Sequence, residues 1–155
     1  MTKRLYVLIL CLGLLGVLVP AGQALSTLGE PAASVESDRK ALSAGERATS
    51  ARPGYTVQEV VSDANSVREY ISPAGIVFAI AWNGLTHPDL APLLGAYVGE
   101  YRQALRQTPR KPGRRSLQVK GSRVVVEKWG HMRNLQGRAY APALIPSGVS
   151  VDEIK

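Results

Sequence analysis

Tyr55-Thr56-Val57-Gln58-Glu59-Val60-Val61, Val67-Arg68-Glu69-Tyr70-Ile71 and Ile76-Val77-Phe78-Ala79-Ile80-Ala81-Trp82 decide the fold. In the first run Tyr55, Val57 and Glu59 share one face at period two, and β-branched residues dominate, as a pleated, half-covered surface requires. Ser62-Asp63-Ala64-Asn65-Ser66 separates it from the second run with turn chemistry. Ser72-Pro73-Ala74-Gly75 then reads as a tight turn, with proline setting φ at its second position and glycine suiting its end. The third run is apolar on both faces, which predicts a covered central strand. Three strands joined by two short connections make an antiparallel meander.

Downstream, Thr86-His87-Pro88-Asp89 is a helix-start signal: a Thr cap, a proline in the first turn and an acid near the positive end. Leu90, Leu93, Leu94, Tyr97, Val98, Tyr101 and Leu105 follow at helical offsets, which predicts one amphipathic helix to about Gln107 with its stripe on the meander. Burying five such aliphatic side chains contributes on the order of 10 kcal/mol before entropy is subtracted. Thr108 to Ser116 reads as a basic, proline-containing loop. Leu117–Lys120 and Arg123–Trp129 read as a hairpin about a two-residue Gly121-Ser122 turn. From Gly130 to Lys155 the sequence reads as a tail rich in Gly, Pro and small residues, with Ala143-Leu144-Ile145-Pro146 docking on the core.

Upstream, residues 25–54 are polar, and Ser34 caps an expected short helix through Leu42 in which Arg39 and Lys40 follow Ser37 and Asp38. The expected architecture is α+β: an antiparallel sheet of about five strands, one long amphipathic helix packed on one face and a short N-terminal helix. The α+β domain is expected over residues 55–155.

The chain opens with basic Met1-Thr2-Lys3-Arg4, continues with an apolar run from Leu5 to Val19 and ends this segment in Pro20-Ala21-Gly22-Gln23-Ala24. These are the three parts of a signal peptide, with cleavage expected after Ala24. The apolar run is shorter than the roughly 20 residues of a permanent membrane helix. A periplasmic or secreted protein with no transmembrane segment after cleavage is therefore expected. Cys11, the one cysteine, lies inside the apolar run behind Leu10, where a lipoprotein would need a small residue. A chain starting at Leu25 has no cysteine, which excludes disulfides, thiolate nucleophiles and Cys-ligated zinc.

That chain carries 17 basic against 12 acidic residues. Nine of the basic ones lie between Arg102 and Lys128: Arg102, Arg106, Arg110, Lys111, Arg114, Arg115, Lys120, Arg123 and Lys128. Such a segment is either a solvated loop or an attractor for an anionic partner, and export makes nucleic acid an unexpected one.

Gly54-Tyr55-Thr56-Val57-Gln58-Glu59, Val67-Arg68-Glu69-Tyr70-Ile71-Ser72-Pro73-Ala74-Gly75-Ile76-Val77-Phe78, Trp82-Asn83-Gly84 and Pro88-Asp89-Leu90 occur in that order. Leu94-Gly95-Ala96-Tyr97, Gly130-His131-Met132-Arg133, Gly137-Arg138-Ala139-Tyr140 and Pro146-Ser147-Gly148-Val149-Ser150 follow. Over Leu25 to Lys155 the set resembles a family of exported proteobacterial proteins, domain of unknown function 2844. The resemblance implies export and a Gram-negative source, and it carries over no catalytic residue.

No Gly-x-Ser-x-Gly elbow supports a nucleophilic serine. His87, Asp89 and His131 lack the spacing of a metal site, so neither a metal nor another cofactor is expected. Glu59 and Glu69 are the acids closest to a glycosidase pair, and a solvent-facing pair on neighbouring strands is expected of them instead. The candidate ligand-binding residues are Trp82, His131, Arg133, Arg138 and Tyr140. Guanidinium forks match carboxylate or phosphate, aromatic rings offer stacking faces, and binding groups concentrate on loops beside a rigid scaffold. Trp129 is a second stacking candidate. The functional expectation is a small non-enzymatic binding or accessory module, with an envelope protein or anionic envelope surface as partner. The alternative is a small hydrolase or metal-dependent enzyme using His131 with nearby Arg and Tyr residues.

Overall fold

The structure, a computed structural model, describes residues 28–32, 47–109, 113 and 115–155. The expected signal peptide and the helix expected from Ser34 lie outside the described residues. Among the described residues seven strands form one sheet: β1 (Arg47–Arg52), β2 (Tyr55–Val61), β3 (Asn65–Ile71), β4 (Val77–Gly84), β5 (Ser116–Lys120), β6 (Val125–His131) and β7 (Asn134–Tyr140). Their order across the sheet is β1-β2-β3-β4-β7-β6-β5, and every neighbouring pair is antiparallel. Two meanders thus join along β4 and β7, and the helical segment is inserted between them in sequence.

This corrects the expectation of about five strands. β1 (Arg-Ala-Thr-Ser-Ala-Arg) has no apolar alternation because it is an edge strand whose residues 48–52 are exposed, so only its pairing with β2 defines it. β7 falls where a glycine-rich tail is expected, because Gly137 interrupts its pattern. The single long helix is also corrected. Asp89, not Thr86, is the cap: its carboxylate accepts from the Ala91 N–H at 2.9 Å, and α1 covers only Leu90–Leu94. Gly95 at φ 49° turns the chain through a single 3-10 turn (Gly95–Tyr97) into α2 (Val98–Gln107).

β4 is the covered centre, buried from Val77 through Trp82. Its register against β3 shifts between Tyr70 and Ile71, so Tyr70 faces Ala79 and Ile71 faces Val77. Phe78 is the extra residue, and it turns to the same side as Ala79. On one side, Val77, Ile80 and Trp82 pack with Leu90, Leu93, Leu94 and Tyr101. Each of the three helical leucines contributes roughly 2 kcal/mol of burial. Leu28 joins this side, its N–H donating to the Leu93 carbonyl at 3.0 Å.

The other side is closed by the C-terminus. Tyr55, Tyr70 and Phe78 form an aromatic trio with centroids 5.8–6.2 Å apart, under a fully buried Ile154. A short 3-10 turn (Val151–Glu153), capped reciprocally by Ser150 and Glu153, delivers Ile154 to that position. Tyr55 donates to Glu153 at 3.0 Å. The Tyr70 hydroxyl bonds both the carbonyl and the N–H of Lys155 at 2.9 Å.

Candidate functional site

Parity across β4 and β7 positions the site. Residues directly opposite share a face, so Trp82 and Gly137 lie on the helix side, whereas Ala81 and Arg138 lie on the C-terminal side. Trp82 is 1% exposed. Its indole crosses Gly137, where a Cβ would overlap the ring Cζ2 and stand 2.6 Å from the Glu127 carbonyl oxygen. The indole Nε1 donates to His87 Nδ1 at 3.0 Å, and the two rings meet edge to face. Indole N–H is donor only, so Nδ1 accepts and the neutral imidazole carries its proton on Nε2. Burial, and then the charge of Lys128, hold the His87 pKa below the ordinary 6.5.

His87 lines a groove of about 970 Å³ between the end of α2, the start of β5 and the end of β6. Leu105, Leu117 and Leu135 give it apolar walls, and Arg106, Arg115 and Lys128 give it three cations. Among the described residues lining it, none is Asp or Glu. Nor does any of the three cations form an ion pair among the described residues. Lys128 lies over the Tyr101 ring, 5.8 Å from its centroid. Such a groove can receive an anionic group on Arg106, Arg115 and Lys128 and an apolar body along the leucines.

The second cluster lies on the C-terminal side. Arg138 forms an ion pair with Glu127 and donates through Nη1 to the carbonyls of Val151 at 2.7 Å and Ile154 at 3.3 Å. Its guanidinium lies 5.8 Å from the Trp129 ring centroid and 5.9 Å from that of Tyr140. Trp129 in turn donates to Gln136 at 3.0 Å. Burial, and then Glu127, push the Tyr140 phenol above its ordinary pKa. A hollow of about 510 Å³ beside Trp129, Arg138 and Lys155 completes this cluster. With its guanidinium held by Glu127 and two chain carbonyls, Arg138 anchors the C-terminus.

Of the residues expected to bind ligand, the structure brings Arg138 and Tyr140 together and separates the others. Trp82 is on the opposite face. His131 and Arg133 stand at the β6–β7 turn, both exposed, with Arg133 at φ 64°. Arg138 is four residues along β7 from Asn134, the partner of His131, roughly 13 Å away at strand spacing. Glu59 and Glu69 lie on opposite faces, opposite Arg68 and Gln58 respectively. Glu69 is buried at 6% exposure, which corrects the solvent-facing pair. The groove cations belong to the basic segment visible in sequence; Leu117 and Leu135 carry no sequence signal that ties them to it. Among the described residues, no cluster of three or more His, Cys, Asp or Glu could hold a metal ion, and no helix is long and apolar enough to cross a membrane.

The model of a family described as Protein of unknown function (DUF2844) matches residues 24–154, and the chain belongs to that family. No curated protein and no solved structure matches it.

Proposed function

We propose that this family member is an exported, non-enzymatic binding module that holds an organic anion in the helix-side groove. The observation that carries the reading is charge without compensation: Arg106, Arg115 and Lys128 surround one groove whose described lining contains no carboxylate. Three cations with no ion pair among the described residues, gathered on one concavity, repel one another, and an anion relieves that repulsion. The leucines favour an anion with an apolar body over a bare inorganic one. The indole bond fixes the His87 tautomer and leaves Nε2–H as a neutral donor for the same anion. The basic and apolar start of the chain, ending in Gly22-Gln23-Ala24, supports export.

The test is calorimetric titration of residues 25–155 with decanoate, decanol and sulfate. Decanoate is expected to bind more tightly than either. Replacing Arg106, Arg115 and Lys128 together by Gln is expected to weaken decanoate binding by about tenfold or more, as loss of several charge-assisted contacts requires. Equal binding of decanoate and decanol, or an unaffected triple variant, would overturn the reading.

A further inference from the structure

Four large hydrophobic side chains are exposed among the described residues: Val61, Leu85, Leu105 and Met132, the last 92% exposed. Strand pairing collects all four at one end of the sheet. Val61 is the last residue of β2 and faces Ser66, at the start of β3. Asn65 pairs with Gly84, and Leu85 follows directly. Gly84 pairs with Leu135, which also faces Gly130, so the Met132-Arg133 turn stands at the same end. α2 finishes there too, since the chain leaves Gln107 and re-enters the sheet at Ser116, opposite Trp129. From β2 across β3, β4 and β7 to the β6–β7 turn, the tips span roughly 17 Å at ordinary strand spacing.

The same end is basic. Arg106, Arg115 and Arg133 are exposed there, against Asp63 and an Asp89 engaged as the helix cap. The opposite end, with the β1–β2, β3–β4 and β5–β6 turns, exposes no large hydrophobic side chain among the described residues. Met132 occupies a two-residue turn in which a polar residue would serve, and it packs in neither core cluster.

We propose that this end docks on a bilayer surface containing anionic phospholipid, with Met132 and Leu85 entering the headgroup–acyl boundary and Arg133, Arg115 and Arg106 on the lipid phosphates. The spacing of the apolar groups selects a bilayer over a protein partner. Val61 ends β2, Leu85 follows β4 and Met132 sits in the β6–β7 turn, with the polar strand starts Asn65 of β3 and Asn134 of β7 between them, so they form no continuous patch for a complementary protein to bury. A fluid interface accepts isolated side chains one by one, while clustered basic residues supply attraction to anionic headgroups.

The test is co-sedimentation of residues 25–155, which hold every described element of the fold, with phosphatidylcholine vesicles with and without one-third phosphatidylglycerol. The protein is expected on the anionic vesicles and not on the neutral ones. The Leu85→Ser/Met132→Ser variant keeps the charge and touches neither core cluster nor the groove lining, so its melting temperature should be unchanged. Its partitioning to anionic vesicles should drop by about tenfold, as loss of two inserted side chains implies. Arg133→Gln should weaken binding less and reduce its salt dependence. Absence of wild-type binding, or a Leu85→Ser/Met132→Ser variant that binds as wild type does, would overturn the proposal. Competition by soluble polyglutamate that is indifferent to Leu85 and Met132 would also overturn it, and would point to an acidic protein partner.

Discussion

The indole nitrogen of Trp82, at the centre of the sheet, donates to Nδ1 of His87 at 3.0 Å, while the indole's ring carbons cover Gly137 on the neighbouring strand. One side chain therefore connects the most buried strand, the strand beside it and a wall of the candidate groove. The bond needs neutral His87, because a protonated imidazole has no acceptor left.

That requirement sets a pH dependence. An unfolded histidine titrates near the ordinary 6.5, whereas burial and Lys128 depress His87 in the folded protein. Between those values the unfolded chain binds the extra proton, so stability rises with pH. The contribution is fully present above about pH 6.5 and is lost as pH falls through the lower folded value. Melting curves from pH 7.5 to 5 should show a declining melting temperature. His87→Gln, which keeps an acceptor for the indole and does not titrate, should flatten that decline.

Gly137→Ala tests the indole's other contact. The added methyl would meet Trp82 Cζ2 and the Glu127 carbonyl, and a backbone oxygen in a paired strand has little room to move. Overpacking of this kind costs roughly 1–3 kcal/mol or more. A urea titration should show an earlier midpoint, and near-ultraviolet circular dichroism should report the displaced tryptophan.

The same glycine explains why β7 is hard to see in the sequence. A strand bearing glycine for lack of Cβ space has the composition of a loop, and the reason lies 55 positions earlier in Trp82. The covered strands are legible because period-two or continuous apolar patterning records burial, as in β2, β3 and β4. β1 is not, since an exposed edge leaves no apolar record. The helical stripe is legible in Leu90, Leu93, Leu94 and Tyr101 but overruns at Leu105, which is 37% exposed. For the site, the types of residue are visible and their grouping is not. Trp82 and Arg138 are both candidates by residue type, and strand parity puts them on opposite faces.

Leu94→Asp is expected to be the most damaging apolar-to-charged change in the helical segment. Leu94 is fully buried against the sheet, and a carboxylate there would have to be protonated or expel its helix. The expected outcome is loss of cooperative unfolding, or an insoluble product, in a denaturation experiment that Leu105→Asp passes with wild-type behaviour.

The C-terminal closure is expected to be a large part of the stability. Ile154→Ala removes a fully buried side chain beside Tyr55, Tyr70 and Phe78, at a cost of roughly 3 kcal/mol. Tyr70→Phe removes only the hydroxyl that bonds Lys155, and water can replace it at that exposed residue. A loss near 1 kcal/mol is therefore expected, on the usual scale of a net hydrogen bond. Carboxypeptidase digestion should quicken in both variants, and more in the first.

A second acid-sensitive contact lies at the opposite end of α2. Glu100 accepts from the Arg123 backbone N–H at 2.6 Å, the Arg123 side chain at 3.0 Å and the Ser122 hydroxyl at 3.1 Å, fastening the helix to the β5–β6 turn. These bonds, the backbone one foremost, hold its pKa below the ordinary 4.5. The sign is opposite to that of a group stabilised by gaining a proton: the contribution is present above pH 4.5 and disappears as pH falls through the lower folded value. The His87 loss sets in higher, below about pH 6.5, so its step should begin above that of Glu100 in a stability profile. Glu100→Gln should remove part of the lower step and leave the upper one untouched. A single merged step, insensitive to both His87→Gln and Glu100→Gln, would show that other groups govern the acid response.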